Sequence, residues 1–247
     1  MSSPSHNTTT PDSAERRLTL PQGSMLVRPE LASEATPDWF SPQWWGTAAR
    51  PVSSGGRGSA WFIAHDTHQW VLRHYSRGGL AAKVSQRTYG YLGGDKVRSF
   101  AEFRLLNHLL AQGLPVPEPI AALLERPGRL TYQAAIVVRT IAGAKPFAEY
   151  LGEDNPELWY RVGELVRRFH AAGVDHADLN CHNILVTSQG LYLIDFDKGK
   201  LRRGDRKNWQ VGNMERLKRS VLKLVGPNHE PTRALWAQLQ AGYRGGN

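Results

Sequence analysis

The stretch HADLNCHNILV, residues His176 to Val186, decides the fold. Its first eight residues include two histidines, two asparagines, one aspartate and the only cysteine of the chain, and an apolar, β-like segment follows directly. A second apolar segment, LYLIDF, comes after a turn at Ser188, Gln189 and Gly190. Two short apolar runs around a glycine-containing turn predict a β-hairpin. We therefore expect a polar loop that the hairpin behind it holds in place.

The spacing of the polar residues in this loop points to phosphoryl transfer. Six residues carry the pattern: His176, Asp178, Leu179, Asn183, Asp195 and Phe196. They resemble the catalytic loop and the metal-binding segment of the protein-kinase-like fold. Phosphoryl transfer requires a carboxylate beside the acceptor hydroxyl, and a separate carboxylate and amide that hold Mg²⁺ against the triphosphate of ATP. We predict that Asp178 is catalytic and that Asn183 and Asp195 bind Mg²⁺; the alternative is that all three are turn, cap and strand-end residues.

The pattern of apolar residues divides the chain into two halves. Aromatic and β-branched segments around Asp66-Thr67, and again around Pro127-Gly128, predict antiparallel strands, and SFAEFRLLNHLLAQG predicts one amphipathic helix between them. Later segments such as PELWYRVGELVRRFHAAG are mainly helical. The fold class is therefore α+β: a two-lobed protein-kinase-like fold with an N-terminal antiparallel sheet and one helix, and a smaller, mainly helical C-terminal lobe. The predicted boundaries are a disordered tail (1–18), a nucleotide-binding lobe (19–140) and a catalytic lobe (141–247).

Candidate residues for binding ATP lie in the N-terminal half. Gly56 and Gly58 fall at the first strand boundary, where glycines let backbone N–H groups approach phosphates. Trp61 replaces the third glycine of the usual pattern, so this motif is weak. Arg73 stands where a kinase strand carries its phosphate-binding lysine, and Lys83 is the other candidate cation.

Glu102 has two interpretations. It lies in the predicted helix where a kinase places the acidic partner of the phosphate-binding cation. It is also the last residue of Ser99-Phe100-Ala101-Glu102, which matches a capping box at a helix N-terminus. The sequence leaves both open.

Composition excludes several classes of protein. The chain has 247 residues, and its Lys and Arg exceed its Asp and Glu by 31 to 22, so the surface should attract an anionic partner. No apolar run approaches the roughly 18 residues that a membrane span needs. Nothing marks Cys181 as a low-pKa thiolate, and we predict that it is structural rather than nucleophilic.

Three longer segments carry a resemblance to a known family: LRHYSRGGL, FAEFRLLNHLLAQGLPVPEP, and HADLNCHNILV with LYLIDFDKG. They resemble the bacterial lipopolysaccharide kinase family, and within it the 3-deoxy-D-manno-octulosonic acid (Kdo) kinases, from about Gly55 to about Arg203. The resemblance implies ATP-dependent phosphorylation of the 4-hydroxyl of a Kdo residue on lipid A precursor, at the cytoplasmic face of the inner membrane, with Asp178 as the catalytic aspartate. Asp197 replaces the glycine of Asp-Phe-Gly and no Ala-Pro-Glu segment follows, so we expect no protein substrate.

The segment KGKLRRGDRK, Lys198 to Lys207, has six basic residues against one aspartate. Such runs are usually solvated charge, but the implied acceptor is an acidic sugar on a phosphorylated lipid. We expect Arg202, Arg203, Arg206 and Lys207 to serve the lipid-linked Kdo acceptor and the anionic inner-membrane surface rather than ATP. The segment has no aromatic residue, so we expect no nucleic-acid partner.

Alternatives remain open on the residues alone. The chain could be a kinase-like binding module without activity, although it retains the three predicted catalytic and metal-binding residues. A heptose kinase of the same family, or an antibiotic or choline kinase, would use the same residues on another acceptor. Trp44 and Trp45 could anchor at a lipid interface, but packing in the core is the preferred interpretation.

Overall fold

The computed structural model of the protein describes residues 14–52, 60–75, 89–90, 97–126, 131–202, 208–227 and 229–245. The chain divides into two compact units. The first, here called the N-terminal unit, comprises residues up to 103 together with 119–139, and the second, the C-terminal unit, comprises 104–118 and everything from 140 onward. Residues 104–118, which are predicted to belong to the nucleotide-binding lobe, group with the C-terminal unit instead.

The described strands are β1 (Arg16–Leu20), β2 (Gly23–Val27), β3 (Ala49–Pro51), β4 (Ala60–His65), β5 (His68–His74), β6 (Tyr89–Gly90), β7 (Pro119–Glu125), β8 (Thr131–Arg139), β9 (Lys145–Pro146), β10 (Val174–Asp175), β11 (Ile184–Val186), β12 (Leu191–Leu193) and β13 (Lys200–Leu201). The described α-helices are α1 (Pro42–Trp45), α2 (Arg98–Ala111), α3 (Pro156–Ala171), α4 (Asn208–Val225) and α5 (Glu230–Arg244). Short 3₁₀ turns cover Pro29–Leu31, Pro37–Phe40, Gly46–Ala48 and Phe147–Tyr150.

One antiparallel sheet builds the N-terminal unit. Among the described strands its order is β1-β2-β7-β8-β5-β4-β3, and β6 pairs with β8. The predicted hairpin is confirmed as β4 and β5, joined at Asp66 and Thr67, and the predicted later strands are β7 and β8. Asp66 has φ +49, a left-handed conformation that aspartate tolerates in tight turns.

Aromatic residues fill the core on one side of this sheet. Trp70 and Leu72 alternate along β5 and are buried, as the two-residue period of a strand requires. Trp45 packs with them at 6% exposure, and its indole N–H donates to the backbone carbonyl oxygen of Trp39 at 3.0 Å. Trp45 is thus a core residue, as the preferred interpretation has it, while its neighbour Trp44 is 51% exposed.

The first described strand begins earlier than the sequence predicts. β1 starts at Arg16 and pairs with β2, so ordered structure begins inside the segment 1–18 that is predicted as a disordered tail. The reason is that Leu18 and Leu20 alternate along the strand and pack against the core. Residues 1–13 lie outside the described part of the chain.

Two glycines allow helices α3 and α5 to pack closely in the C-terminal unit. A Cβ atom at Gly163 of α3 would lie 2.0 Å from the carbonyl oxygen of Leu239, and one at Gly242 of α5 would lie 2.0 Å from that of Tyr160. Any side chain at either position would therefore push the helices apart. The predicted helix over PELWYRVGELVRRFHAAG is confirmed as α3, whose first turn contains Pro156.

Short strands position the polar loop. β10 precedes it and pairs with β13, while β11 follows it and pairs with both β12 and β9. The predicted hairpin behind the loop is confirmed as β11 and β12. Residues 176–183 are thus held at both ends by backbone pairing.

Candidate active site

His176 is buried and fixes the start of the loop. Its Nε2–H donates to the carbonyl oxygen of Ile194 at 2.8 Å, and its ring centroid lies 4.7 Å from that of Phe196. Burial lowers the pKa of His176, although the nearby Asp195 and Asp178 act in the opposite direction. The imidazole therefore stays neutral and joins the loop to the strand that leads into Asp195.

Asp178 exposes its carboxylate, while its backbone holds the loop together. Its side chain is 60% exposed. Its backbone carbonyl oxygen accepts hydrogen bonds from the side-chain amides of Asn180 and Asn183, both at 3.0 Å. Asn180 in turn accepts from the backbone N–H of His182 at 2.9 Å. The loop therefore keeps its shape without using the carboxylate of Asp178.

Asn183 and Asp195 lie on the two arms of the same hairpin. The backbone N–H of Ile194 donates to the carbonyl oxygen of Asn183 at 3.0 Å, and Asp195 is the next residue. Asp195 has φ +65, and residues held in this region cluster at functional sites. Since Asn183 uses its Nδ2 on Asp178, its Oδ1 remains an acceptor.

These two side chains fit Mg²⁺. One carboxylate and one amide supply oxygen ligands, which Mg²⁺ prefers, and this ion usually keeps several waters and binds substrate phosphates as well. Within the described ranges, no three His, Cys, Asp or Glu side chains cluster so that they could hold a metal ion. Two protein ligands alone would leave most of the coordination of the ion to phosphates and water.

Arg73 and Glu102 form an ion pair in the N-terminal unit. Nη2 of Arg73 on β5 lies 2.6 and 2.5 Å from the two carboxylate oxygens of Glu102 on α2. The hydroxyl of Tyr75 also donates to Glu102. The Glu102 side chain is 3% exposed and that of Arg73 is 23% exposed, so the pair is largely shielded from water.

This pairing decides between the two interpretations of Glu102. Ser99 lies inside α2, which begins at Arg98, and the Ser99 hydroxyl donates to the carbonyl oxygen of Leu123 at 2.8 Å. The capping box is therefore wrong and the ion pair is confirmed, because tertiary contacts override the local motif. That the pair serves ATP stays a prediction.

Replacing Glu102 with glutamine should lower the free energy of unfolding by about 1.5–3 kcal/mol, since hydrogen bonds to a charged group are lost while the shape is kept. Chemical denaturation measures this change. Tyr75→Phe, which removes only one neutral donor, is the matched control and should cost less. Equal stability of Glu102→Gln and wild type would contradict the pairing.

Arg202, predicted to serve the acceptor and the membrane surface, is half exposed and also forms an ion pair within the protein. Its Nε and Nη2 lie 2.9 and 2.8 Å from Oδ2 of Asp175, whose other oxygen accepts from Nδ2 of Asn213 at 2.9 Å. Asn213 also accepts the backbone N–H of His176 at 3.2 Å. Arg202 therefore helps to hold the start of the polar loop. Sequence reasoning missed Asp175 and Asn213, which no motif marks.

Several predicted site residues cannot be placed. Gly56, Gly58 and Lys83 lie outside the described residues, as do Arg203, Arg206 and Lys207. Cys181 is described, and it is buried with its backbone N–H donating to the hydroxyl of Ser220 at 3.0 Å. Burial raises the pKa of the Cys181 thiol, which is the environment expected of a structural rather than a nucleophilic cysteine.

His170 should make the stability of the protein depend on pH. It lies at the end of α3 with Nδ1 2.7 Å from the Tyr243 hydroxyl and its ring 5.0 Å from Trp209, and burial lowers its pKa to about 4. The unfolded chain binds the proton at a higher pH, near 6.5, so stability is full above that pH and falls as pH drops toward 4, by about 3 kcal/mol in total.

Chemical denaturation at a series of pH values tests this dependence. His176, whose pKa is also lowered, acts in the same direction. His170→Leu should therefore reduce the slope of stability between pH 6.5 and 4 without removing it. An unchanged slope in the variant would show that His170 titrates normally.

Comparison with known proteins agrees with this geometry. The model of the lipopolysaccharide kinase (Kdo/WaaP) family matches residues 42–243. A 3-deoxy-D-manno-octulosonic acid kinase of Stenotrophomonas maltophilia (strain R551-3) is 50% identical over 208 residues, which is 83% of this chain and 82% of the relative. A kinase of the same name from Xanthomonas axonopodis pv. citri (strain 306) is 45% identical over 90% of this chain and 89% of the relative. Another, from Xylella fastidiosa (strain M23), is 42% identical over 83% of this chain and 82% of the relative.

A solved structure has the same fold. It is that of WaaP in complex with acyl carrier protein, with a TM-score of 0.56 and 16% identity, and the match covers 89% of this chain and 88% of the other. The likeness confirms the predicted α+β, protein-kinase-like fold. The family model spans most of the sequence and the relatives are similar along nearly their whole length, so the chain belongs to the lipopolysaccharide kinase (Kdo/WaaP) family.

Proposed function

We propose that the protein is an ATP-dependent kinase that phosphorylates the 4-hydroxyl of a Kdo residue on lipid A precursor, in the synthesis of the lipopolysaccharide core. The observation that carries the proposal is the identity of 42–50% to relatives named 3-deoxy-D-manno-octulosonic acid kinase. The exposed carboxylate of Asp178, on a loop whose shape does not depend on it, supports the same chemistry.

Each predicted residue has a role in this reaction. Asp178 accepts the proton of the attacking hydroxyl as the bond to the γ-phosphorus forms and the bond to ADP breaks. Asn183 and Asp195 would hold Mg²⁺. The bound ion would neutralise negative charge on the phosphates. Arg73, kept in place by Glu102, contacts the ATP phosphates.

The remaining predicted nucleotide-binding residues complete the proposal. Gly56 and Gly58 bring backbone N–H groups to the phosphates, and Lys83 is the alternative to Arg73 as the phosphate-binding cation. Arg73 is the better supported of the two, because its ion pair with Glu102 is the arrangement that kinases keep beside the phosphates.

An acceptor panel tests the proposed function. The purified protein is incubated with ATP, Mg²⁺ and, separately, Kdo-lipid A precursor, heptosylated core, an aminoglycoside or choline. Phosphate should pass to the Kdo-lipid A precursor. Transfer only to the heptosylated core would make the protein a heptose kinase, and transfer only to the aminoglycoside or choline would remove it from lipopolysaccharide synthesis.

We also propose that the protein works as a peripheral protein at the cytoplasmic face of the inner membrane. Its excess of nine positive charges favours an anionic lipid surface. None of the helices in the described ranges is long and apolar enough to cross a bilayer. Since Arg202 is engaged by Asp175, the basic residues proposed for this role are Arg203, Arg206 and Lys207.

Neutralising Arg203, Arg206 and Lys207 to glutamine should weaken co-sedimentation with anionic vesicles, because each basic residue near such a surface contributes about 1 kcal/mol. The difference from wild type should fade at 1 M salt, where the Debye length shrinks to about 3 Å. The KM for ATP should stay the same. Equal sedimentation of the variant and wild type at low salt would show that the segment is solvated charge only.

A further inference from the structure

The guanidinium of Arg216 lies beside Asp178 without being bonded to it. Nη1 of Arg216 is 4.0 Å from Oδ1 of Asp178, which is beyond hydrogen-bond distance. Both side chains are about half exposed, at 48% and 60%. In the described part of the chain, the guanidinium of Arg216 has no hydrogen-bond partner. Its donors are therefore available to a ligand beside the carboxylate that is proposed to take the acceptor's proton.

Helix α4 holds Arg216 in this position from both sides. One turn earlier, Asn213 is bonded to Asp175 and to the backbone N–H of His176. One turn later, the hydroxyl of Ser220 accepts the backbone N–H of Cys181. Residues three and four apart lie on one face of a helix, so the face that carries Arg216 is bonded to the catalytic loop before and after Asp178.

The position of Arg216 beside Asp178 is not explained by a contribution to the stability of the fold. An exposed ion pair at the limit of contact contributes little to folding. An arginine, in contrast, offers five donors in a planar fork that matches the two oxygens of a carboxylate or the oxygens of a phosphate. The placement of Arg216 therefore suits the binding of an anionic group on the acceptor.

We propose that Arg216 binds the carboxylate of the Kdo sugar and so positions its 4-hydroxyl at Asp178. In Kdo the carboxylate is attached to a ring carbon that is separated by one carbon from the carbon bearing the 4-hydroxyl. Two residues that contact these groups at once can therefore lie as close to each other as Arg216 and Asp178 do. The inference rests on the proposed function. It makes Arg216 a specificity-determining residue, because a neutral sugar has no carboxylate for it to bind.

Steady-state kinetics of Arg216→Gln test the inference. The KM for Kdo-lipid A precursor should rise about 10- to 100-fold, because a charge-assisted bidentate contact is lost. The KM for ATP should not change. Arg216→Lys keeps the positive charge but not the planar guanidinium. Its KM for Kdo-lipid A precursor should therefore lie between those of wild type and Arg216→Gln. Arg219→Gln, an exposed arginine one turn further along α4, is the matched control and should behave as wild type.

Modified acceptors identify the anion. With a precursor whose Kdo carboxylate is a methyl ester, wild type and Arg216→Gln should have the same KM. With a precursor that lacks the lipid A phosphates, the variant should keep its full defect. A defect that persists with the ester and disappears without the phosphates would assign Arg216 to a lipid A phosphate and overturn the inference, and a raised KM for ATP would assign it to the nucleotide.

The two proposals fail in different ways. If the wild type transfers no phosphate to any Kdo acceptor, the proposed function fails, and the inference fails with it. If the wild type is active and Arg216→Gln has an unchanged KM for the precursor, only the inference is overturned. Thermal melting should be the same for both proteins, which separates a binding defect from a folding defect.

Discussion

Replacing Asp178 with alanine should lower kcat by about 10²- to 10⁴-fold, the usual cost of losing a positioned base. The loop should survive the change, because Asn180 and Asn183 are bonded to the backbone carbonyl of Asp178 rather than to its carboxylate. Mg·ATP affinity and the melting temperature should therefore stay close to those of wild type. Rate measurements with Kdo-lipid A precursor give kcat, and calorimetry with Mg·ATP gives the nucleotide affinity.

Asp178→Asn is the matched variant, because it keeps size and polarity but cannot accept the proton at neutral pH. It should be as inactive as Asp178→Ala. If either variant retained more than about a tenth of the wild-type kcat, Asp178 would not be the catalytic base.

Replacing Asp195 with asparagine should abolish most Mg²⁺-dependent ATP binding as well as turnover. The variant loses the negative charge that the metal requires. We therefore expect the affinity for Mg·ATP to fall at least tenfold, which corresponds to a loss of at least about 1.4 kcal/mol of binding free energy. Asparagine is the better replacement, since it tolerates the left-handed φ of +65 at this position, which alanine would strain. Calorimetry with ATP, in the presence and absence of Mg²⁺, measures the difference.

Asp197→Asn is the control for this experiment. Asp197 stands two residues later, where a kinase has the glycine of Asp-Phe-Gly. If Asp195→Asn bound Mg·ATP as wild type does and Asp197→Asn did not, the metal would be assigned to Asp197.

The polar loop could be predicted from the sequence because its determinants are local. One segment of fewer than 20 consecutive residues contains Asp178, Asn183 and Asp195. A loop and a tight hairpin can be recognised from the spacing of residues within such a short segment. In the structure Asn183 is bonded to the backbone of Asp178, and Asp195 follows the residue that is bonded to the backbone of Asn183. Their individual roles are the proposals that the substitutions above test.

Contacts between distant residues could not be read in the same way. Arg73 and Glu102 are 29 positions apart, and a local motif competed with their pairing. Arg202 lies in a run of basic residues, which predicts exposed charge, yet a buried aspartate 27 positions earlier engages it. Arg216 carries no motif, and only the docking of α4 on the catalytic loop brings it to Asp178.

The position of the new phosphate on the product tests the central claim most directly. The purified protein is incubated with ATP, Mg²⁺ and Kdo-lipid A precursor, and correlated phosphorus and proton NMR of the product locates the phosphate. We expect a single phosphate ester on the 4-hydroxyl of Kdo. A phosphate on another hydroxyl or on the lipid A sugars, or an unmodified acceptor, would contradict it.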